Sequence, residues 1–411
     1  MGCFGLLGER LSHSYSPLIH SELGGYEYRL FEKTPEELGH FLLGGDFEGL
    51  NVTIPYKKAV IPYCARLSEA ARAIGSVNTI TRMPDGTLYG DNTDYFGFSY
   101  LLKKTVAPPA SGKTIILGSG GSSLTVQAVL RDLNAREVVV VSRGGADNYG
   151  NIWKHSDALL IINTTPVGMY PNNGVSPLDD IGVFQYCQAV IDIVYNPLRT
   201  ELLLQAEDRG KLCAGGLSML VAQAKKSAEQ FTRSPIPDER IESITAKIAR
   251  QTRNIVLVGM PGCGKSSIGA ALARRTGREF ADTDEWVAKA AGKPIPEIFA
   301  ENGEAAFREM EKDALVALCK RSGLVIATGG GIVKSQENRN IIRQNGIVVF
   351  LDRDVAKLPI LGRPLSQSEG VAALAAARLP LYSQWSDCTI PVRGVEQTAA
   401  DICGTTLRAK M

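Results

Sequence analysis

The stretch IVLVGMPGCGKSSIGAALARRT, residues 255–276, decides the architecture of the C-terminal part of the chain. Residues 255–258 are apolar and mostly β-branched, the pattern of a strand buried on both faces, and residues 267–276 have a helical pattern. Between them Gly259, Met260, Pro261, Gly262, Cys263, Gly264, Lys265 and Ser266 match GxxxxGKS in full. Glycines at those positions let backbone N–H groups turn inward on phosphate oxygens, Lys265 neutralises charge on the outer phosphates, and Ser266 offers a hydroxyl to Mg²⁺. Cys263 and Ser267 lie on the same turn and share the phosphate-binding backbone. A strand, a phosphate loop and a helix in this order predict a parallel α/β layer.

A second such unit lies upstream in TIILGSGGSSLTVQAVLRDL, residues 114–133, followed by a strand over 137–141. Gly118, Ser119, Gly120, Gly121 and Ser122 form a divergent GxGGxx turn, the start of a βαβ dinucleotide site. Ser142 and Arg143 follow the second strand, where an NAD enzyme would carry an acidic residue for the ribose 2′-hydroxyl. An arginine there suits a 2′-phosphate and favours NADP, a solvated surface arginine being the alternative. Further strands are expected over 159–162, 190–193, 325–327 and 347–351, and an Ala-rich helix over 371–377.

The composition supports this reading and excludes others. The chain has 411 residues, enough for two or three domains, with 44% hydrophobic and 21% charged residues, ordinary values for a globular protein. With 45 Lys+Arg against 43 Asp+Glu, the net charge of +2 supplies no global field for a polyanion, so nucleic acid is not an expected partner. The eight cysteines (Cys3, Cys64, Cys187, Cys213, Cys263, Cys319, Cys388, Cys403) form no CxxC pair, which argues against zinc and a disulfide framework. No run approaches the roughly 18 apolar residues of a membrane span, and residues 1–12 do not read as a signal peptide. A cytoplasmic protein with no membrane partner is expected.

Beyond the phosphate loop, Asp282-Thr283-Asp284 could point both carboxylates into one cleft by alternation along an extended end, one near a metal and one near a substrate hydroxyl. Taken alone the triplet is equally a turn. Arg308 lies in GEAAFRE, Gly329, Gly330 and Gly331 follow the strand 325–327, and Arg363 and Arg378 lie in RPL and RLPLY. The arginines are either solvated or clamps for phosphate and carboxylate. GMPGCGKSSIG, DTD, FREME, GGG, GRPL and RLPLY, in this order over residues 253–411, resemble shikimate kinase. The resemblance implies ATP and Mg²⁺ at Lys265 and Ser266, Asp282 in the metal sphere, and Asp284 as base beside the substrate hydroxyls. It also implies Arg308 and Arg378 on the shikimate carboxylate, Gly329 to Gly331 along its ring, and Arg363 in a lid over the phosphates. Residues 352–362 are shorter than usual and carry no second lid arginine before RPL, Lys357 being the nearest cation.

In the N-terminal half, NVTIPYK (residues 51–57) and GDNTD (90–94) are polar clusters at expected strand ends. A lysine and an aspartate brought together can deliver a proton to a carbonyl oxygen while hydride reaches its carbon; a surface ion pair is the simpler alternative. GERLSHSYSP, NVTIPYK, GSVNT, GDNTDYFG, NTTPVGM, DIVYNPLRTELL and GGLSMLVAQA, together with the Gly-rich loop, resemble shikimate dehydrogenase across residues 1 to about 250. The resemblance implies Lys57 and Asp94 as the catalytic pair. It implies Ser14, Ser16, Thr53, Asn78 and Gln223 on the substrate's carboxylate and hydroxyls, with Tyr195 beside the substrate and Gly216 beside the nicotinamide. Ser14 and Ser16 otherwise read as a helix cap before Pro17. Only 13 residues separate Arg143 from Asp157, too few for the helix, strand and helix usual there, so the nucleotide lobe has lost an edge unit.

The expected fold is therefore α/β throughout. Residues 1–252 hold a substrate lobe (about 1–105, with helices of about 217–252) and a shortened Rossmann NADP lobe (about 112–216); residues 253–411 form a P-loop kinase domain with a parallel sheet. The expected activity is NADPH-dependent reduction of 3-dehydroshikimate to shikimate, then MgATP-dependent phosphorylation of shikimate. A sensor that keeps the folds without catalysis, a dehydrogenase that also takes quinate, and a kinase for another small hydroxy acid remain as alternatives.

Overall fold

Three sheets organise the chain, whose computed structural model describes residues 3–11, 14–106, 112–358 and 370–408. The first sheet contains β1 (Cys3–Gly8), β2 (Glu27–Glu32), β3 (Gly49–Val52), β4 (Arg66–Leu67), β5 (Thr79–Arg82) and β6 (Leu88–Asp91) in the order β2-β1-β3-β5-β6-β4. It is mixed: β1 runs parallel to β2 and β3, while β5 is antiparallel to β3 and β6. Its register sets Asn51 opposite Thr79 and Thr79 opposite Asp91, so polar residues far apart in sequence form one row. Edge strand β2 exposes Glu27 and Arg29, charges that discourage pairing with another chain.

The second sheet, β11-β10-β9-β7-β8, is parallel throughout and comprises β7 (Lys113–Leu117), β8 (Glu137–Val141), β9 (Leu160–Asn163), β10 (Ala189–Asp192) and β11 (Leu212–Gly215). The chain order reverses beside β7, and the Gly-rich turn leaves its carboxyl end, where ligands bind in open α/β sheets. β8 is the edge strand, and the segment that follows it holds turns and a short 3₁₀ helix, Ile152–His155, instead of a further strand. That segment is knit to itself: Asn148 N–H donates to Asn151 Oδ1 (2.8 Å), Asn151 Nδ2 to the Ala146 carbonyl (2.8 Å), and His155 Nε2 meets Asp147 Oδ1 (2.9 Å).

The third sheet, β13-β14-β12-β15-β16, is also parallel, with β12 (Asn254–Val258), β13 (Phe280–Asp282), β14 (Val325–Ala327), β15 (Gly346–Asp352) and β16 (Cys388–Pro391). Every residue of β12 is buried, as a central parallel strand with helices on both faces requires. Its register aligns Leu257 with Ala327 and Ala327 with Asp282. The phosphate loop, the DTD triplet and the glycine run therefore all begin at one end of one sheet. The expected Ala-rich helix is longer, Val371–Trp385, and carries Arg378 and Tyr382.

The chain falls into two compact units, Met1–Gly168 with Ser176–Tyr195 and Gln205–Ile248, and Met169–Val175 with Asn196–Leu204 and Ala249–Met411. Two segments from within residues 112–216 thus belong to the second unit, where Arg199 N–H donates to the Gln344 carbonyl (3.0 Å) and Leu198 N–H to Asn345 Oδ1 (2.9 Å). Long-range backbone hydrogen bonds of this kind leave no local sequence pattern. In the first unit the helices Asp94–Thr105 and Leu217–Thr232 pack together. A Cβ on Gly97 would lie 2.7 Å from the Met219 carbonyl, so glycine lets their backbones approach. Among the described residues no helix is long and apolar enough to cross a membrane.

Beneath the first sheet His20 is 1% exposed, stacked on Tyr28 (3.9 Å, 9°), with Nδ1 2.6 Å from the Tyr26 hydroxyl. Burial, only partly opposed by Asn51, lowers its pKa to about 3. A folded-state pKa below the unfolded value means that the unfolded chain takes up a proton first as pH falls. The stability from the neutral ring is complete above about pH 6.5 and is lost from there down toward pH 3. Hydrogen exchange at β1 amides should show the protection gap between wild type and His20→Gln narrowing by roughly 1 kcal/mol from pH 7 to 5.5; a constant gap would contradict the buried neutral ring.

Candidate active sites

The first site is built where β3 and β6 end, β5 begins, and the helices Asp94–Thr105 and Leu217–Thr232 begin or pass. Lys57 lies in the turn after β3, and its Nζ meets Asp94 Oδ2 at 2.7 Å, the side chains being 27% and 15% exposed. Asp94 opens its helix, and the preceding Thr93 N–H donates to Asn78 Oδ1 at 2.7 Å. Asn78 in turn meets Gln223, its Nδ2 lying 3.5 Å from Gln223 Oε1. Thr79 ties this group to Asn51, which accepts from Tyr28 (2.8 Å), and Tyr28 also engages Ser16. A continuous polar network therefore runs from Ser16 to Thr93, the residue before Asp94. Ser14 Oγ accepts the Ser16 N–H at 3.2 Å, part of the helix-start role considered for it; the cap position itself belongs to Tyr15. Thr53 follows β3 directly, its N–H held by the Leu7 carbonyl (2.9 Å). The Tyr195 and Tyr15 rings are 5.3 Å apart, and burial raises the Tyr195 hydroxyl's pKa.

The dinucleotide loop leaves β7 at Gly118, whose φ of 102° and whose neighbours Thr164 and Thr165 leave no place for a side chain. Ser119, Gly120 and Gly121 are exposed, and the helix Gly121–Asp132 starts there with Ser122 in its first turn, a fit for a pyrophosphate. Ser142 and Arg143 follow β8; Arg143 is exposed and close enough to lower the pKa of Tyr149, which burial raises. Gly216 passes so near the Ile193 backbone that a Cβ would overlap the Ile193 carbonyl, so a packing demand alone fixes glycine there.

The second site gathers at the end of the third sheet. Gly259, Gly262 and Gly264 have φ of 150°, 82° and 107°, and the helix Lys265–Thr276 starts on the last of them with Ser266 and Ser267 exposed. Lys265 Nζ donates to the carbonyls of Gly259 (2.8 Å) and Met260 (3.0 Å) and lies 3.9 Å from Cys263 Sγ. Ser266 Oγ donates to Asp282 Oδ2 at 2.6 Å, a hydroxyl and a carboxylate suited to Mg²⁺, which takes few protein ligands beside water and phosphate oxygens. The two aspartates meet for a reason other than strand alternation. Asp282 ends β13 and caps the helix Thr283–Ala291, its Oδ1 accepting the Asp284 N–H at 2.9 Å. Asp284 Oδ1 is buried without a partner, and burial, then the charges of Asp282 and Glu311, raises its pKa to about 6.

The three glycines are where the charged groups converge. A side chain on Gly329 would collide with Glu311 and approach Asp284, one on Gly330 would meet Pro261 of the phosphate loop, and one on Gly331 would overlap the Arg308 guanidinium. Arg308 is engaged by Glu311 (2.6 Å) and Glu304 (3.0 Å). Arg378 is 2% exposed and uses Nη1 on the Gly330 carbonyl at 3.1 Å, while its Nε and Nη2 are buried without a partner. Nε and Nη2 form the edge of a guanidinium that takes a carboxylate in two parallel hydrogen bonds. Arg363 and most of the lid segment lie outside the described residues.

Several participants were not singled out from sequence. Thr93, Thr79, Asn51 and Tyr28 complete the first site, although Thr93, Thr79 and Asn51 stand inside or beside the polar motifs of the N-terminal half. Glu311, 1% exposed, and Tyr382, whose hydroxyl donates to the Gly330 carbonyl, complete the second. An acid three residues after Arg308, on the same helix face, was the available signal.

Residues 261–407 match the family model described as shikimate kinase, and residues 6–80 that described as the shikimate dehydrogenase substrate binding domain. A shikimate dehydrogenase (NADP(+)) of Clostridium perfringens is 37% identical over 251 residues, covering 56% of this chain and 92% of that protein. Among solved structures, a chorismate mutase/shikimate 5-dehydrogenase fusion protein from Clostridium acetobutylicum has a TM-score of 0.57 at 34% identity, over 60% of this chain and 97% of that one. The shikimate 5-dehydrogenase of Thermus thermophilus, in complex with NADP(H) and shikimate, has a TM-score of 0.54 at 30% identity, over 60% of this chain and 99% of that one.

Proposed function

The chain belongs to the shikimate dehydrogenase family and continues into a shikimate kinase domain, and from that premise we propose how its own residues perform the two reactions. It is a bifunctional enzyme of the shikimate pathway: the first unit reduces 3-dehydroshikimate to shikimate with NADPH, and the second phosphorylates shikimate with MgATP. When bound, NADPH supplies the hydride and MgATP the phosphoryl group.

In the first unit the Lys57 ammonium donates a proton to the substrate's carbonyl oxygen as its carbon is reduced. Asp94, paired with Lys57 at 2.7 Å, holds that ammonium in place and accepts a hydrogen bond from a substrate hydroxyl. Ser14, Ser16, Thr53, Asn78 and Gln223 bind the carboxylate and hydroxyls, and Tyr195 closes the cleft beside them. Gly118 to Ser122 would hold the pyrophosphate of NADPH, Gly216 would lie beside its nicotinamide, and Ser142 and Arg143 would hold its 2′-phosphate. In the second unit Asp284 would take the hydroxyl proton as the hydroxyl oxygen bonds to the γ-phosphorus of ATP and the bond from that phosphorus to the bridging oxygen breaks, releasing ADP. With MgATP bound, Lys265 would exchange its carbonyl partners for phosphate oxygens and Ser266 and Asp282 would hold Mg²⁺, while the family resemblance assigns Arg363 to the phosphates. Arg378 and Arg308 bind the carboxylate, and Gly329 to Gly331 let the ring approach. By division of labour the domain limits are set at 1–252 and 253–411, although Met169–Val175 and Asn196–Leu204 pack with the second unit. A cytoplasmic setting, with no nucleic-acid or membrane partner, agrees with eight free cysteines and a net charge of +2.

The observation that carries this reading is the presence of two separately assembled constellations, Lys57–Asp94 in one unit and Ser266–Asp282–Asp284 in the other. A mixture of the protein, 3-dehydroshikimate, NADPH and MgATP should consume NADPH and release ADP, with ADP appearing after a lag that added shikimate removes. Absence of ADP release from shikimate itself would eliminate the kinase reading, and absence of NADPH consumption would eliminate the reductase reading.

A further inference from the structure

Two amides of the first site, Asn78 and Gln223, are 3% and 8% exposed, and an amide can present either its oxygen or its N–H₂ to a ligand. The surrounding donors decide which. The Thr93 backbone N–H lies 2.7 Å from the Asn78 side chain and can only donate, so the atom facing it is the oxygen. Thr79 Oγ1 lies 3.1 Å from the same oxygen and can fill its second lone pair, while accepting from Asn51 Nδ2 at 3.4 Å. The Asn51 oxygen is in turn held by the Tyr28 hydroxyl at 2.8 Å. With Asn78 Oδ1 already met by two donors, the Thr93 hydroxyl can give its proton to Gln223 Oε1, 3.4 Å away; Thr93 Oγ1 also stands 3.2 Å from Asn78 Oδ1, toward which it can only donate, and 3.0 Å from Thr79 Oγ1, where either hydroxyl can be the donor. Gln223 Oε1 also faces Asn78 Nδ2 at 3.5 Å, and Gln223 Nε2 spends one hydrogen on the Leu220 carbonyl at 2.9 Å. Both carbonyl ends are closed by protein donors, and each amide keeps one N–H to offer.

We propose that Thr93 is a positioning residue of the dehydrogenase site: its backbone N–H and hydroxyl hold the oxygens of Asn78 and Gln223, so that both amides address the substrate only as hydrogen-bond donors. The proposal rests on the assignment of Asn78 and Gln223 to the substrate. It adds a polarity to that site. The substrate's hydroxyl oxygens accept from the amides, and their protons are directed elsewhere, the Asp94 carboxylate one residue after Thr93 being an acceptor in the same site. Thr93 is 1% exposed and immediately precedes Asp94, so the N–H that orients Asn78 also fixes where the helix bearing Asp94 starts.

Thr93→Val keeps the backbone N–H and the shape of the side chain but removes the hydroxyl, so Gln223 Oε1 loses one of its two donors and Gln223 is held less firmly. The expected result is a KM for shikimate raised about tenfold, with KM for NADP(+) unchanged and kcat within about threefold. Thr93→Ser, which restores the hydroxyl, should return KM to within about twofold of wild type. Kinase activity of the same chain reports that the protein is intact. An unchanged KM in Thr93→Val overturns the proposal, as does a Thr93→Ser variant as impaired as Thr93→Val, which would assign the effect to the lost methyl group. If the valine variant loses kinase activity as well, Thr93→Ala against Thr93→Ser makes the same comparison. Asn78→Ala run beside them separates the two levels. A raised KM there with an unaffected Thr93→Val overturns the positioning role alone, and an unaffected Asn78→Ala overturns the substrate assignment with it.

Discussion

Lys57→Ala should lower the rate of 3-dehydroshikimate reduction by about 10³-fold and leave the phosphorylation of added shikimate unchanged. General acid catalysis by a positioned side chain contributes on the order of 10²–10⁴, and in the proposed mechanism the ammonium would also stabilise the oxygen that gains charge during hydride arrival. Its loss strands Asp94 in a half-buried position, 15% exposed, with no cation beside it. Affinity for NADP(H) should be preserved, since the Gly118–Ser122 turn and Arg143 do not depend on Lys57. Steady-state rates of NADPH oxidation and ADP release on one preparation make the comparison. A variant that retains a tenth of wild-type reduction would remove Lys57 from the proton transfer, and parallel loss of both activities would point to unfolding.

The converse experiment is Asp284→Asn, which should reduce kcat of the kinase by about 10²–10³-fold, with KM for shikimate changed less than about threefold, and spare the reduction. Asparagine has the shape of aspartate but cannot accept the hydroxyl proton. The backbone N–H that Asp282 caps is retained, so the helix start should persist. The carboxylate is well matched to proton transfer, because burial and the neighbouring acids bring its pKa up to about 6, leaving it ionised at neutral pH yet basic enough to take a proton. A variant with unchanged kcat and a raised KM would make Asp284 a binding group only.

Much of this architecture is legible in the sequence. The strands over 114–117, 255–258 and 325–327 follow from short apolar runs, because a parallel strand covered on both faces is largely apolar, and the edge strand over 137–141 is marked by its run of four valines. The phosphate loop and the dinucleotide turn are legible for a similar reason, since a strand, a glycine turn and a helix adjacent in sequence carry their whole geometry locally. The first sheet is not legible strand by strand. Its members are short, and Asn51, Thr79 and Asp91 interrupt their apolar pattern because they form the polar row that supports the site. The pairing of Asp282 with Asp284 is expected from sequence, but through strand alternation; the chain turns into a helix at Thr283, and a side-chain cap brings the two together.

What the amino-acid order determined by itself was the set of layers, the two phosphate-binding turns and the residue types available for proton transfer, since each depends on neighbours within about twenty positions. What only the tertiary structure decided was how distant groups orient one another. The Asn78 amide is turned by a backbone N–H 15 residues away and the Arg378 guanidinium by a carbonyl 48 residues away, and the segment Asn196–Leu204 belongs to the second unit. Such arrangements arise from close packing between elements, where a hydrogen bond forms only if the fold brings donor and acceptor within about 3 Å, and no local sequence pattern records that distance.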